Sequence, residues 1–232
     1  MPIRATFELE TNEMLLGRTP IAGVDEAGRG PWAGPVVAAA VILDPDNIPD
    51  GMADSKMLSP EIREAIYPRI LETAVVGVGI ADVARIDRDN ILNATLWAMS
   101  EAIGQLKRKP KLVLIDGNKA PRLKMEARTI VQGDARCLSI AAASIVAKVT
   151  RDRMMVELGE QIPGYGFERH KGYGTPEHQA ALKRLGVCEH HRRSFKPVQL
   201  ALGLVRTYGN APGFAGLDDQ VADADGDLQP AK

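Results

Sequence analysis

Cysteine is scarce in this chain: Cys137 and Cys188 are the only two among 232 residues, and they lie far apart without a C-x-x-C pairing. That excludes a disulfide framework and fits a reducing compartment. Long apolar runs are missing as well, so no segment is expected to cross a bilayer. Residues 1–17 carry no charged-then-apolar leader and no segment repeats, so a cytoplasmic globular protein is expected. The run Cys188-Glu189-His190-His191 has no second ligand pair at finger-like spacing, so its expected role is packing and not zinc binding. Net charge is nearly absent too, at −1. Taken alone, that value argues against a nucleic-acid partner.

The distribution of charge changes this. Residues 211–232 hold five of the 30 acidic residues (Asp218, Asp219, Asp223, Asp225 and Asp227) but only Lys232 of the 29 basic ones. The rest of the chain keeps 25 acidic and 28 basic residues, a balance of +3. Lys183, Arg184, His190, His191, Arg192, Arg193 and Lys196 crowd into one short stretch, as a phosphate-backbone footprint would. A solvated face is the plainer alternative. The acidic tail, rich in Asp, Gly, Ala and Pro, is expected to be disordered.

The most informative segment is Gly23-Val24-Asp25-Glu26-Ala27-Gly28-Arg29-Gly30. It sets two hard-cation ligands beside a glycine-flanked arginine suited to phosphate. Neighbouring side chains of a strand point to opposite faces, so Asp25 and Glu26 serve one metal site only if the chain leaves the strand there. Gly28 and Gly30 permit that departure and a close approach of backbone to a sugar-phosphate. A tight turn with solvated acids is the alternative.

Apolar runs and punctuation give an alternating α/β pattern. Strands are expected over 21–24, 36–43, 75–80, 111–115 and 128–131, the first two forming an antiparallel hairpin. Ser59-Pro60 opens a helix to about Thr73, and a second spans about Asn90 to Leu106, led in by Asp87 and Asp89. A third opens after Ser139 and is dense in small residues, so it should be the buried one. Thr175-Pro176 starts another to about Leu185, and Pro197 a last short one.

Asp25, Asp116 and Asp134 each follow an apolar strand at its C-terminal end, the edge where ligand sites gather in open α/β sheets. If strands one, four and five are parallel neighbours, these carboxylates converge. Converging carboxylates cannot all stay ionised without a cation, and hard oxygen ligands suit Mg²⁺ or Mn²⁺. Two such ions activate a water and stabilise the leaving oxygen of a phosphodiester displacement. A turn or cap role is the ordinary alternative for any one of these acids.

The run from Gly23 to Val41, Asp54-Ser55-Lys56, Ile115-Asp116-Gly117-Asn118, Gly133-Asp134, the stretch from Ile140 to Asp152, and His170-Lys171-Gly172-Tyr173-Gly174-Thr175 stand in one order. Together they resemble bacterial ribonuclease HII, from about Ile21 to Leu204. The resemblance implies a ribonuclease H-like fold: a mixed five-stranded sheet flanked by helices, with a helical C-terminal part. It divides the chain into an N-terminal extension (1–20), a catalytic domain (21–208) and the acidic tail (209–232).

It implies that Asp25, Glu26, Asp116 and Asp134 are the catalytic, metal-binding carboxylates for Mg²⁺ or Mn²⁺. Gly28, Arg29 and Gly30 would read a ribose 2′-hydroxyl through backbone groups, and Tyr173 would pack on the next sugar. Lys56 and Lys171 are candidate phosphate contacts. Asp152, between Arg151 and Arg153, is expected to form a structural ion pair, Ser144 to bond its own backbone, and His170 to serve structure or contact phosphate.

The implied activity is endonucleolytic hydrolysis 5′ of a ribonucleotide in RNA–DNA hybrids and in DNA with embedded ribonucleotides, leaving 3′-hydroxyl and 5′-phosphate ends. A monomer without membrane contact is expected, and partner recruitment by the tail stays open. The rival readings are a resolvase-like nuclease of the same fold and a non-catalytic hybrid-binding module. The type HIII relatives carry an extra N-terminal domain, whereas only about twenty residues precede the first strand here.

Overall fold

A run of seven residues buried on both faces, Val36–Ile42, forms β2 near the middle of the sheet. Its Val-Val-Ala-Ala-Ala-Val-Ile sequence suits that place: β-branched ends favour an extended chain, and the alanines let helices approach. Each buried Val or Ile contributes ~1.5–3 kcal/mol relative to exposure. The computed structural model describes residues 5–52 and 55–205. The acidic tail and Asp54 lie outside them.

Strands β1 (Ile21–Ala27), β3 (Val75–Ala81), β4 (Leu112–Asp116) and β5 (Glu126–Ile130) complete a five-stranded sheet of order β3-β2-β1-β4-β5. β2 is antiparallel to β1 and β3, while β1, β4 and β5 run parallel, which meets the condition for the strand-end acids to converge.

Helices follow their caps. α1 spans Glu8–Leu15 and α2 spans Pro60–Thr73, where Ser59 accepts a hydrogen bond from Ile62 N–H. α3 (Val83–Gly104) begins seven residues before the expected Asn90. Asp82 caps it, accepting from Arg85 N–H, and the helix breaks at Asn90, whose φ is +66°. Asn90 Oδ1 then accepts from Asn93 N–H and restarts the helix. The two expected lead-in acids have other roles: Asp89 pairs with Arg85 and Arg88, and Asp87 accepts from Arg193 N–H and from Ser194. α4 (Leu138–Gln161), α5 (Phe167–His170), α6 (Pro176–Leu185) and α7 (Lys196–Ala201) form the rest, with Thr175 capping α6.

α3 covers one face of the sheet, packing Ala94, Ala98, Met99 and Ala102 against Ala22, Val24 and Val36. α4 covers the other with Ala142, Ala143, Val146 and Ala147 against Ala39 and Val41. The approach of α4 is closest at Gly23, where an added Cβ would lie 2.1 Å from the Ser139 carbonyl carbon. Ser139 is itself fixed from α1: Glu10, 1% exposed, accepts from its N–H at 2.9 Å and its hydroxyl at 2.6 Å. Burial pushes the Glu10 carboxyl up, and the Ser139 bonds oppose this.

This contact sets the distance between β1 and the helix behind Asp25. Gly23→Ala is expected to force α4 outward and cost about 1–3 kcal/mol, seen as a lowered Tm in thermal unfolding. An unchanged Tm would show that β1 and α4 tolerate the added methyl.

Candidate active site

Strand alternation decides where the first two acids go. Ala22, Val24 and Glu26 face α3, whereas Gly23, Asp25 and Ala27 face α4. The expected departure from the strand at Asp25 and Glu26 does not occur: β1 runs on to Ala27, paired with Val37. Asp25 therefore points towards the α4 side with Ser144, and Glu26 enters a cavity of about 60 Å³ shared with Arg29, Thr95 and Asp116. Arg29 Nη1 donates to Glu26 Oε1 at 3.2 Å.

Asp25, Asp116 and Asp134 come together. One carboxylate oxygen of each lies within 4.8 Å of the other two. Asp116 ends β4, beside Asp25 because β1 and β4 are parallel neighbours, and its Oδ1 accepts from Gly133 N–H at 2.6 Å. That bond holds the 3₁₀ turn Gly133–Ala135, which carries Asp134. Asp25 and Asp134 are 5% and 4% exposed. Lys56 approaches Asp134 Oδ2 at 3.5 Å from a side chain that is 81% exposed.

Charge is expensive in this place. Burial, then Glu26 and Asp116, push the Asp25 carboxyl well above the usual carboxylate range, with the Ser144 hydroxyl and Glu26 N–H opposing. Burial also raises Glu26, and Arg29 opposes it. Ser144 does not bond its own backbone as expected. Its hydroxyl faces Asp25 and is 2.7 Å from Ser55 Oγ, tying the acid to the Ser55–Met57 turn that presents Lys56. A serine among alanines on a buried helix was the available signal, since a lone buried hydroxyl needs a partner.

Asp152 stands apart from the trio and pairs with Lys148 at 2.7 Å, not with the flanking arginines. Arg153 pairs with Glu64, and Arg151 turns inward. His170 is structural: its Nε2 bonds Tyr165 O at 2.8 Å and its Nδ1 accepts from Gly172 N–H. Lys171, at the left-handed end of α5 with φ +53°, donates to Glu168 O. Tyr173 is 46% exposed, and its ring edge lies 3.7 Å from where a Gly30 Cβ would stand. The glycine loop and the tyrosine are thus neighbours.

The expected basic footprint is divided. Lys183, Arg184, Arg193 and Lys196 are exposed, but His191 and Arg192 are fully buried. His191 Nε2 meets His178 Nε2 at 3.0 Å, and its Nδ1 accepts from Cys188 N–H, a packing role as expected. Among the described residues, the carboxylate trio is the one group with metal-ligand spacing. No helix there is long and apolar enough to cross a membrane.

Comparisons with known proteins agree with this geometry. The family model described as Ribonuclease HII matches residues 22–198. Ribonuclease HII of Azorhizobium caulinodans is 59% identical over 194 residues, covering 84% of this chain and 75% of that protein. That of Bradyrhizobium diazoefficiens is 55% identical over 200 residues, covering 86% and 77%. Among solved structures, ribonuclease H2 from Pyrococcus horikoshii superposes with a TM-score of 0.69 at 26% identity, covering 79% of this chain and 97% of the other. The sheet order, the flanking helices and the clustered acids fit the ribonuclease H fold and its divalent-metal-dependent chemistry. The chain belongs to the ribonuclease HII family and is an endonuclease of the ribonuclease H type.

Proposed function

We propose that this enzyme cleaves the phosphodiester on the 5′ side of a ribonucleotide, in RNA–DNA hybrids and in DNA duplexes with embedded ribonucleotides, leaving 3′-hydroxyl and 5′-phosphate ends. The observation that carries the reading is the convergence of Asp25, Asp116 and Asp134 one loop away from Gly28-Arg29-Gly30 and Tyr173. Cutting and sugar-reading groups are then close enough to act on adjacent nucleotides.

The donor set fits a hard divalent cation, Mg²⁺ or Mn²⁺. It consists of carboxylate oxygens, and the strongest influences on Asp25 disfavour its charge. Asp25, Asp116 and Asp134 would hold the ions, and Glu26, on the opposite face of β1, would complete the set from the cavity it shares with Asp116 at the strand end. Bound there, divalent cations supply Lewis acidity for the attacking water and for charge on the leaving oxygen. The rest falls to the protein. Gly28, Arg29 and Gly30 bring backbone donors against the 2′-hydroxyl, which is what separates RNA from DNA. Tyr173 offers an aromatic face to the next sugar and excludes water from it. Lys56 and Lys171 contact phosphate, and the exposed Lys183, Arg193 and Lys196 extend the basic surface along the backbone. The catalytic unit is residues 21–208, acting as a monomer.

A duplex containing one ribonucleotide, incubated with Mg²⁺ or Mn²⁺ beside an all-DNA control, is expected to be cut once, 5′ of the ribonucleotide. No cut in either metal, or equal cutting of the control, overturns the reading. Asp116→Asn is expected to lower turnover on the order of 10³-fold or more while duplex binding persists, because it removes a charged ligand and not the basic surface.

The metal-free protein offers a second check. Asp25 and Glu26 are raised in the folded chain, so the native state holds their protons more tightly than the unfolded one. Their contribution is most favourable below the ordinary carboxylate range of about 4 and is lost as pH rises through the folded values. Stability of wild-type protein in a chelator is therefore expected to fall across that window, and less so for Asp25→Asn. Parallel curves for the two proteins would contradict an ionisation penalty at Asp25.

A further inference from the structure

Arg151 and Arg192 are 1% and 0% exposed, and among the described residues neither forms an ion pair. Their partners are main-chain carbonyls of one segment, Gly28 to Pro35. Arg192 donates from Nη1 to Arg29 O at 2.8 Å, from Nη2 to Gly28 O at 2.5 Å and Pro35 O at 3.1 Å, and from Nε to Gly34 O at 3.0 Å. Arg151 donates from Nε to Pro35 O at 2.9 Å and from Nη2 to Ala33 O at 3.2 Å. Burying two guanidiniums without a carboxylate is costly, and each bond to a carbonyl recovers part of that cost. Such an arrangement is a poor choice for stability alone.

Its effect on the loop is specific. In a trans peptide the C=O and the following N–H point in opposite directions. Arg192 holds the carbonyls of Gly28 and Arg29, so the N–H groups of Arg29 and Gly30 are turned away from it. Neither N–H has an acceptor among the described residues. The Tyr173 ring lies beside this pair of peptides, its edge 3.7 Å from where a Gly30 Cβ would stand. A cation on a peptide carbonyl also polarises that unit and strengthens its N–H as a donor.

Arg151 seats the same loop from below: a Cβ on Gly28 would lie 1.9 Å from its Nε, and Gly28 has φ +95°. The segment bearing Arg192 is itself tied in, with Arg192 N–H donating to Trp32 O and Gly34 N–H to His190 O. Trp32 N–H donates to Gly172 O at 2.8 Å, joining the loop to the residue before Tyr173.

We propose that Arg192, supported by Arg151, is a positioning residue for ribose recognition: it orients and polarises two adjacent peptides so that the Arg29 and Gly30 N–H groups form a preset pair of donors for the 2′-hydroxyl. The inference rests on the reading of Gly28-Arg29-Gly30 as the sugar reader. It accounts for two buried arginines whose hydrogen-bond partners are main-chain carbonyls of the loop.

The test compares affinities for a duplex with one ribonucleotide and for the same all-DNA duplex, in Ca²⁺ on an Asp116→Asn background to prevent cutting. Arg192→Lys keeps the charge but cannot reach the four carbonyls together. It is expected to reduce the preference for the ribonucleotide duplex by about tenfold, the size of losing one charge-assisted hydrogen bond, with all-DNA affinity kept. A purely structural role would weaken both duplexes together, and that result, or an unchanged preference, overturns the proposal. If Arg192→Lys does not fold, Arg151→Met, which keeps the bulk under Gly28 and loses the bonds to Ala33 and Pro35, is held to the same criterion. Absence of any preference in the parent protein would instead remove the sugar-reader assignment itself, and the proposal with it.

Discussion

Three carboxylates share a space that two of them enter almost fully buried, and the rest of the site is organised around that constraint. Anions this close in a low-dielectric setting repel strongly, so the scaffold has to hold them together. The enforcement comes from the sheet. Parallel pairing of β1 with β4 and of β4 with β5 brings three chain ends to one edge, and α4 closes from behind at Gly23. Each acid also has its own partner: Ser144 for Asp25, Gly133 N–H for Asp116 and Lys56 for Asp134. Carboxylates held in place in this way are pre-organised for a cation.

The same strand separates two tasks. Period-two alternation sends Asp25 towards Asp116 and Asp134 and Glu26 towards Arg29 on the opposite face, and the chain then enters the loop clamped by Arg151 and Arg192. On the proposed reading, the cutting and sugar-reading groups are therefore contiguous in the chain. Arg29 joins the loop to Glu26, and the Trp32–Gly172 bond joins it to the Tyr173 segment. Selectivity on such a scaffold follows from rigid placement more than from the number of contacts with the sugar.

Much of this was legible in the sequence, for identifiable reasons. Strand-end acids mark a sheet edge, so Asp25, Asp116 and Asp134 could be gathered once β1, β4 and β5 were taken as parallel. The caps at Ser59 and Thr175 announced their helices. The start of α3 did not follow from local pattern: its first turns, capped by Asp82, are charged, and the break at Asn90 resembles a helix start because Asn90 does cap the longer second part of α3. Arg192 was misplaced among surface cations because a basic cluster gives no sign of which members turn inward. That depends on carbonyls more than 150 residues away in sequence, such as Gly28 O and Gly34 O. Ser144 posed the same difficulty, since its partners Asp25 and Ser55 come from distant segments.

A divalent cation that balances the buried carboxylates would displace their protons, so the proton count on metal binding reports on that balance. Calorimetric titration of Mn²⁺ into the protein, repeated in buffers of different ionisation enthalpy, gives the protons released per binding event. With Asp25 raised by burial and its acidic neighbours, metal binding is expected to displace protons at mildly acidic pH, and Asp25→Asn is expected to release fewer. Binding without proton release, or equal release from both proteins, would contradict a cation-balanced site at Asp25.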